Sequence, residues 1–152
     1  MDPARDHWPM NPVAWRRRGH SKATDPVRRC DLEPDVDAPR RARAVVAEFC
    51  ATHGIGAERE VAELLASELV TNAVRHAGTP MTLTLRLSGP LLRVAVRDGS
   101  GGQVLPVQLT DETAESGRGL SLVDALADRW GCVFLHSGKT VWATVRVQRP
   151  VG

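Results

Sequence analysis

The sequence predicts an α/β fold: a two-layer sandwich in which one mixed, mostly antiparallel sheet carries helices on one face. Stretches with apolar residues at helical spacing and stretches of strict apolar–polar alternation follow one another in the order β-α-α-β-β-α-β-β. The chain has 152 residues, of which 42% are hydrophobic and 25% charged. Such a length and composition suit one globular domain with a single core.

Residues 1–26 are predicted to be a flexible basic leader, followed by the folded domain over residues 27–150. Residues 1–30 carry a net charge of +4, whereas the rest of the chain carries −2. The leader holds prolines and shows no period. Trp8 and Trp15 either dock on the domain or a partner or belong to a disordered tail. Since the basic charge is not on the fold, we expect no direct nucleic-acid partner.

Composition also limits location and metal chemistry. No apolar run approaches the roughly 18 residues of a membrane span. No segment resembles a signal peptide, so we expect a cytoplasmic protein without membrane contact. Cys30, Cys50 and Cys132 form no CxxC pair, which favours free thiols over disulfides or a zinc site. No HExxH spacing indicates a catalytic zinc.

The first two elements are a strand and a helix. Val27–Leu32 is predicted to be the first strand. Asp37 is a suitable N-cap for the helix that follows, with Pro39 tolerated in the first turn. Gly54 is predicted to end this helix. Its apolar positions recur at helical spacing: Ala42, Val45, Val46, Phe49 and Cys50.

A second helix is predicted from Ala57 to His76, stopped near Gly78-Thr79-Pro80. An antiparallel hairpin follows, turning at Gly89-Pro90 and ending at Asp98. The apolar positions of its two strands alternate with polar ones: Met81, Leu83, Leu85 and Leu87, then Leu92, Val94 and Val96.

The last part of the chain predicts a helix and a second hairpin. Gly117-Arg118-Gly119 leads into the helix, and Gly131 stops it. The apolar face of this helix is formed by five residues: Leu120, Val123, Leu126, Ala127 and Trp130. Two strands, Cys132–Leu135 and residues 140–147, are joined by a turn over residues 136–139.

Three polar residues of the second helix fall within its predicted apolar stripe, which is marked by Val61, Leu65 and Leu69. Glu68, Asn72 and His76 are spaced four residues apart, so they share one side of the helix. A carboxylate and an amide facing a core cost several kcal/mol unless they have partners, at about 2–7 kcal/mol per unpaired polar group. Either a satisfied polar network or a ligand site therefore covers this helix; His76 alone is also consistent with a structural role.

Two glycine-rich segments favour the ligand site. Asp98 to Gly102 follows a strand, and Gly117-Arg118-Gly119 sits before a helix. Free N–H groups at a helix start attract phosphate, and glycines let the backbone approach an anion. Asp98 is suited to accept a hydrogen bond from the amino group of a base, and the Asn72 amide oxygen is a hard ligand suited to Mg²⁺.

Together these motifs resemble those of GHKL-type ATPase domains, which adopt the Bergerat ATP-binding fold. The N-box is matched by Glu68 to His76, the G1 box by Asp98 to Gly102 and the G2 box by Gly117 to Leu120. Thr140 corresponds to the threonine of the final box. Ser100 departs from the pattern, since it stands where the first G1 glycine is expected. The resemblance covers about residues 27–147.

The small size and the ExxxNAxxH pattern narrow the resemblance to the anti-sigma factor serine/threonine kinases. It implies ATP and Mg²⁺ as cofactors, with Asn72 on Mg²⁺ and Asp98 on adenine. Glu68 would act as general base on the incoming serine hydroxyl or orient it. Thr140 would support the adenine pocket. The ATP-binding residues implied are these: Asn72, His76, Asp98, Gly102, Gly117, Arg118, Gly119, Leu120 and Thr140.

The implied activity is that of a kinase that binds a sigma factor and phosphorylates a STAS-domain antagonist, with a homodimer as a possible assembly. The alternative is a non-catalytic ATP-binding regulator that sequesters a protein partner. Glu68 argues for the kinase, because a module that only binds needs no base there.

Overall fold

The computed structural model describes residues 24–100 and 116–148, without the side chains of residues 116–120. Three helices and five strands are present in this part of the chain. The helices are α1 (Ala38–Thr52), α2 (Arg59–His76) and α3 (Ser116–Leu126). The strands are β1 (Val27–Leu32), β2 (Met81–Ser88), β3 (Leu91–Asp98), β4 (Arg129–Leu135) and β5 (Gly138–Arg146).

The five strands form one sheet in the order β1-β2-β3-β5-β4. Each of the four pairings between these strands is antiparallel, including the register Asp98↔Lys139 between β3 and β5. The predicted α/β sandwich is therefore confirmed, with a sheet that is antiparallel throughout the described residues. The predicted 1–26 leader and the Gly102 position lie outside the described residues, apart from residues 24–26.

The core lies between the three helices and one face of the sheet. Each strand supplies every second residue to this face, as the alternation in the sequence predicts. In β2 these are Met81, Leu83, Leu85 and Leu87, all buried. Each fully buried Leu contributes about 1.5–3 kcal/mol to the free energy of unfolding.

Helix α1 starts and ends where the sequence predicts. Asp37 occupies the N-cap position, but its side chain makes no capping bond. The Asp35 carboxylate instead accepts the Asp37 N–H at 2.9 Å and pairs with Arg41. At the other end Gly54 has a φ of 69°, and the Ile55 N–H donates to the Cys50 carbonyl. This is a Schellman ending, for which glycine is favoured.

The segment around Trp130 differs from the prediction. Trp130 and Gly131 were expected at the end of a helix, but α3 ends at Leu126 and both residues lie in β4. Gly131 is needed because Trp142 of β5 packs on it: a Cβ at Gly131 would lie 2.8 Å from the Trp142 ring. This cross-strand contact, rather than a helix stop, explains the glycine.

The final hairpin is tighter than predicted. The strand β5 begins at Gly138, so the turn contains only His136 and Ser137. Lys139, expected in the turn, is therefore a strand residue. It lies on the helix-covered face of the sheet together with Val141 and Ala143.

Candidate functional site

The helix α2 presents Glu68 and Asn72 beside its buried stripe and not within it. The buried residues of α2 are Ala62, Leu65, Ala66, Ser67, Leu69, Val70 and Ala73. At about 100° per residue, the mean direction of this stripe is rotated by about 80° from that of Val61, Leu65 and Leu69. The prediction that these polar residues face the core is wrong, because Ala62, Ala66 and Ala73 are buried, whereas Val61 is only partly buried.

Glu68 and Asn72 are half-buried, and His76 is exposed at the last residue of α2. Within residues 24–100 and 121–148, the side chains of Glu68 and Asn72 have no hydrogen-bond or ion-pair partner. The alternative of a satisfied polar network among these residues is therefore not observed. A carboxylate and an amide thus lie one helical turn apart on α2, without a partner in these two ranges.

His76 lies close to Lys139 at the C-terminal end of α2. Partial burial lowers the pKa of His76 below its ordinary value of 6.5, and the positive charges of Lys139 and Arg75 lower it further. Since most of the side chain is exposed, water screens part of this effect. The neutral imidazole is favoured.

Asp98 is the last residue of β3 and is almost completely buried. Its side chain is 1% exposed, and Oδ2 accepts a hydrogen bond from the Lys139 ammonium at 2.9 Å. Oδ1 accepts from the Ser100 N–H at 2.9 Å and from the Ser100 hydroxyl. The carboxylate predicted to recognise a base is thus already engaged by groups of the chain itself.

Lys139 is a residue of this site that the sequence analysis missed. Its side chain is 2% exposed, and Nζ donates to the Ser100 hydroxyl at 3.1 Å as well as to Asp98. A buried Lys with a carboxylate partner is uncommon. The available signal was weak: extending the alternation of Val141 and Ala143 back by one step places Lys139 on the core side.

Thr140 is not brought to Asp98. It alternates with Lys139 along β5, so it lies on the opposite face of the sheet, on the same side as Trp142. Its cross-strand neighbours are Arg97 and Val133. The β5 residue that reaches the predicted adenine carboxylate is Lys139.

The end of β3 is held by contacts with the loop between α2 and β2 and with the start of β5. The Gly99 N–H donates to the Thr79 hydroxyl at 2.8 Å, which ties the α2–β2 connection to the segment after Asp98. On the β5 side, Gly138 approaches so closely that a Cβ would lie 1.9 Å from the Asp98 carbonyl oxygen. The two glycines and Thr79 therefore fix the position of Asp98 relative to α2 and β5.

The predicted phosphate segment lies at the start of α3. Gly117-Arg118-Gly119 was expected to precede the helix, but the described helix α3 spans Ser116–Leu126, so these three residues lie within its first turn. The first four N–H groups of a helix have no intrahelical partner and carry the positive end of the dipole. The helix α3 packs against α2, the helix that carries Asn72.

The residues present fit a nucleotide-bound Mg²⁺ better than a metal held by protein alone. No group of three or more His, Cys, Asp or Glu within the described residues could hold a metal ion. The Asn72 amide oxygen is a ligand that Mg²⁺ accepts, and this ion usually takes its other ligands from phosphate and water. At Asp98, the carboxylate oxygen Oδ2 is occupied by the Lys139 ammonium.

Comparisons with known proteins identify the family and the fold. The family described as histidine kinase-like ATPase domain matches residues 32–145. The fold is similar to the crystal structure of the RsbU and RsbW domains of Rv1364c from Mycobacterium tuberculosis, with a TM-score of 0.63 and 24% sequence identity. That match covers 83% of this chain but 34% of the other, so this chain spans about a third of its neighbour. No curated protein matches the sequence.

Within the described residues, no helix is both long and apolar enough to cross a membrane.

Proposed function

Because the chain belongs to the histidine kinase-like ATPase domain family, we propose that it is an ATP-dependent anti-sigma factor serine/threonine kinase. It binds a sigma factor and phosphorylates a STAS-domain antagonist on a serine or threonine, in the cytoplasm and in the presence of Mg²⁺. The resemblance of the N-, G1 and G2 boxes to anti-sigma factor kinases supports this. So does the fold shared with a structure that contains an RsbW domain.

The observation that carries the proposal is the pair Glu68 and Asn72. Both are half-buried, lie one turn apart on α2 and have no partner within residues 24–100 and 121–148. A carboxylate next to an amide ligand is the arrangement that phosphoryl transfer to a hydroxyl needs: one group positions the metal and the other receives the proton.

Each part of the site has a distinct task in this proposal. Asn72 holds Mg²⁺ through its amide oxygen, and the N–H groups of residues 117–119 bind the phosphates. Glu68 orients the incoming hydroxyl and takes its proton. Asp98 lies at the adenine end of the site, where Lys139 and Ser100 hold its carboxylate. Mg-ATP would supply the phosphoryl group and leave as Mg-ADP, and the Mg²⁺ ion would offset part of the phosphate charge.

A phosphotransfer assay with matched variants tests the kinase activity. Purified protein is incubated with labelled Mg-ATP and a STAS-domain protein that bears a serine acceptor. Glu68→Gln is expected to lower the transfer rate by about 10²–10⁴-fold, the usual contribution of a general base, while ATP affinity is kept. Glu60→Gln is the control, since Glu60 lies exposed in the first turn of the same helix. Absence of transfer by the wild type with ATP bound would contradict the kinase proposal.

The second candidate is a non-catalytic regulator that sequesters its partner. The buried pair of Asp98 and Lys139 favours it, because the base end of the site is closed without any ligand. The two candidates differ in what Glu68→Ala does in cells. If regulation of the target genes survives this change, binding alone is sufficient and the base has no role.

A further inference from the structure

The hydrogen-bonding capacity of Asp98 is largely used within the chain. Oδ2 accepts from Lys139 at 2.9 Å, and Oδ1 accepts from both the N–H and the hydroxyl of Ser100. Lys139 adds a further bond to the Ser100 hydroxyl at 3.1 Å. The three residues form a closed network that contains one positive and one negative charge.

This network is also removed from water. The Lys139 and Asp98 side chains are 2% and 1% exposed. Gly138, whose missing Cβ permits close contact with the Asp98 carbonyl, brings Lys139 into register with Asp98. The ammonium is therefore held in place by the strand pairing and is not a mobile surface charge.

We propose that Lys139 sets the affinity of the site for the nucleotide base, by occupying the carboxylate that would accept the amino group of adenine. This rests on the proposed function, in which Asp98 lies at the adenine end of the site. An ammonium–carboxylate bond is charge-assisted and roughly twice as strong as a neutral one. The neutral amino group of adenine does not displace it. Affinity for nucleotide then comes mainly from the phosphates, and discrimination between bases is weak.

Wild-type protein alone provides the first test. Calorimetry compares Mg-ATP with Mg-N6,N6-dimethyl-ATP, whose amino nitrogen carries no hydrogen to donate. Because Asp98 is engaged by Lys139, the two dissociation constants are expected to agree within about threefold, less than one charged hydrogen bond is worth. A preference for ATP of about tenfold or more would overturn the proposal, because it would mean that the amino group reaches Asp98.

Lys139→Thr provides the second test, since threonine removes the ammonium and frees Oδ2. The variant is expected to bind ATP about tenfold tighter or more than wild type and to discriminate against the dimethyl analogue. Arg146→Met is the control: it removes a positive charge at the exposed end of the same strand. Inorganic tripolyphosphate, which has no base, should bind wild type and Lys139→Thr with equal affinity.

The outcomes separate the two proposals. If tripolyphosphate binds but Lys139→Thr gains no affinity for ATP, the inference about Lys139 is wrong and the phosphate site stands. If wild type and variant bind neither ATP nor tripolyphosphate, the nucleotide site itself is refuted, and the inference falls with it. Circular dichroism checks that Lys139→Thr is folded; if it is not, the wild-type comparison of the two nucleotides decides.

Discussion

Replacing Lys139 by Met removes the cation from a buried ion pair and leaves the Asp98 carboxylate without its charged partner. The pair has an N–O distance of 2.9 Å and side chains that are 1–2% exposed, so water cannot take over the lost bond. Removing one partner of such a buried pair costs about 3–5 kcal/mol. Ser100 still donates two hydrogen bonds to Oδ1, which places the expected loss near the lower end of this range.

Urea unfolding followed by circular dichroism measures this loss. With a slope of about 2 kcal/mol per M, a loss of 3–5 kcal/mol lowers the midpoint by about 1.5–2.5 M. The double variant Lys139→Met with Asp98→Asn carries no buried charge, so its loss should be smaller than the sum of the two single losses. Arg146→Met should stay within about 0.5 kcal/mol of wild type. A loss below about 1 kcal/mol for Lys139→Met would refute the view that the pair is buried and closed.

Three further predictions concern other parts of the fold. Gly131→Ala should lower the free energy of unfolding by about 1–3 kcal/mol, because its Cβ would overlap the Trp142 ring at 2.8 Å; thermal melting measures this, and an unchanged melting temperature would argue against the contact. Burial raises the pKa of the Cys50 thiol to about 11 and that of Cys132 to about 12. Both thiols should therefore resist a thiol reagent at pH 8 until the protein unfolds; rapid modification of the native protein at either would contradict their burial. The lowered pKa of His76 favours its neutral form in the folded state. His76 therefore adds to the free energy of unfolding above pH 6.5, and this contribution is lost as the pH falls through the lowered pKa. His76→Gln should flatten the fall in stability on acidification, and a pH profile identical to that of wild type would exclude this role.

The regular parts of the fold follow from local signals in the sequence. The end of α1 at Gly54 and the turn at Gly89-Pro90 lie where the glycines predict them. The alternation in β2 and β3 matches the buried face. These features depend on residues within a few positions of each other, so the local pattern is sufficient.

The structure differs from the sequence predictions where contacts between residues far apart in the sequence determine the local conformation. Gly131 accommodates Trp142 across two strands, and a glycine after an apolar helical pattern cannot be told from a helix stop by spacing alone. Lys139 is buried because Asp98, far away in the sequence, pairs with it. The orientation of α2 depends on alanines that a search for large apolar residues overlooks. The N-box residues were found in the sequence, but the closed base end of the site was not.

Calorimetry of Mg-ATP binding by wild type and by Asn72→Ala tests whether Asn72 holds the metal ion of a bound nucleotide. Thr71→Ala is the matched control, since Thr71 is the half-buried neighbour of Asn72 on α2. We expect that wild type and Thr71→Ala bind Mg-ATP in the micromolar range and that Asn72→Ala loses this binding. Equal Mg-ATP affinity in wild type and Asn72→Ala, or binding by neither, would contradict the assignment of Asn72 to the metal-binding position of an ATP site.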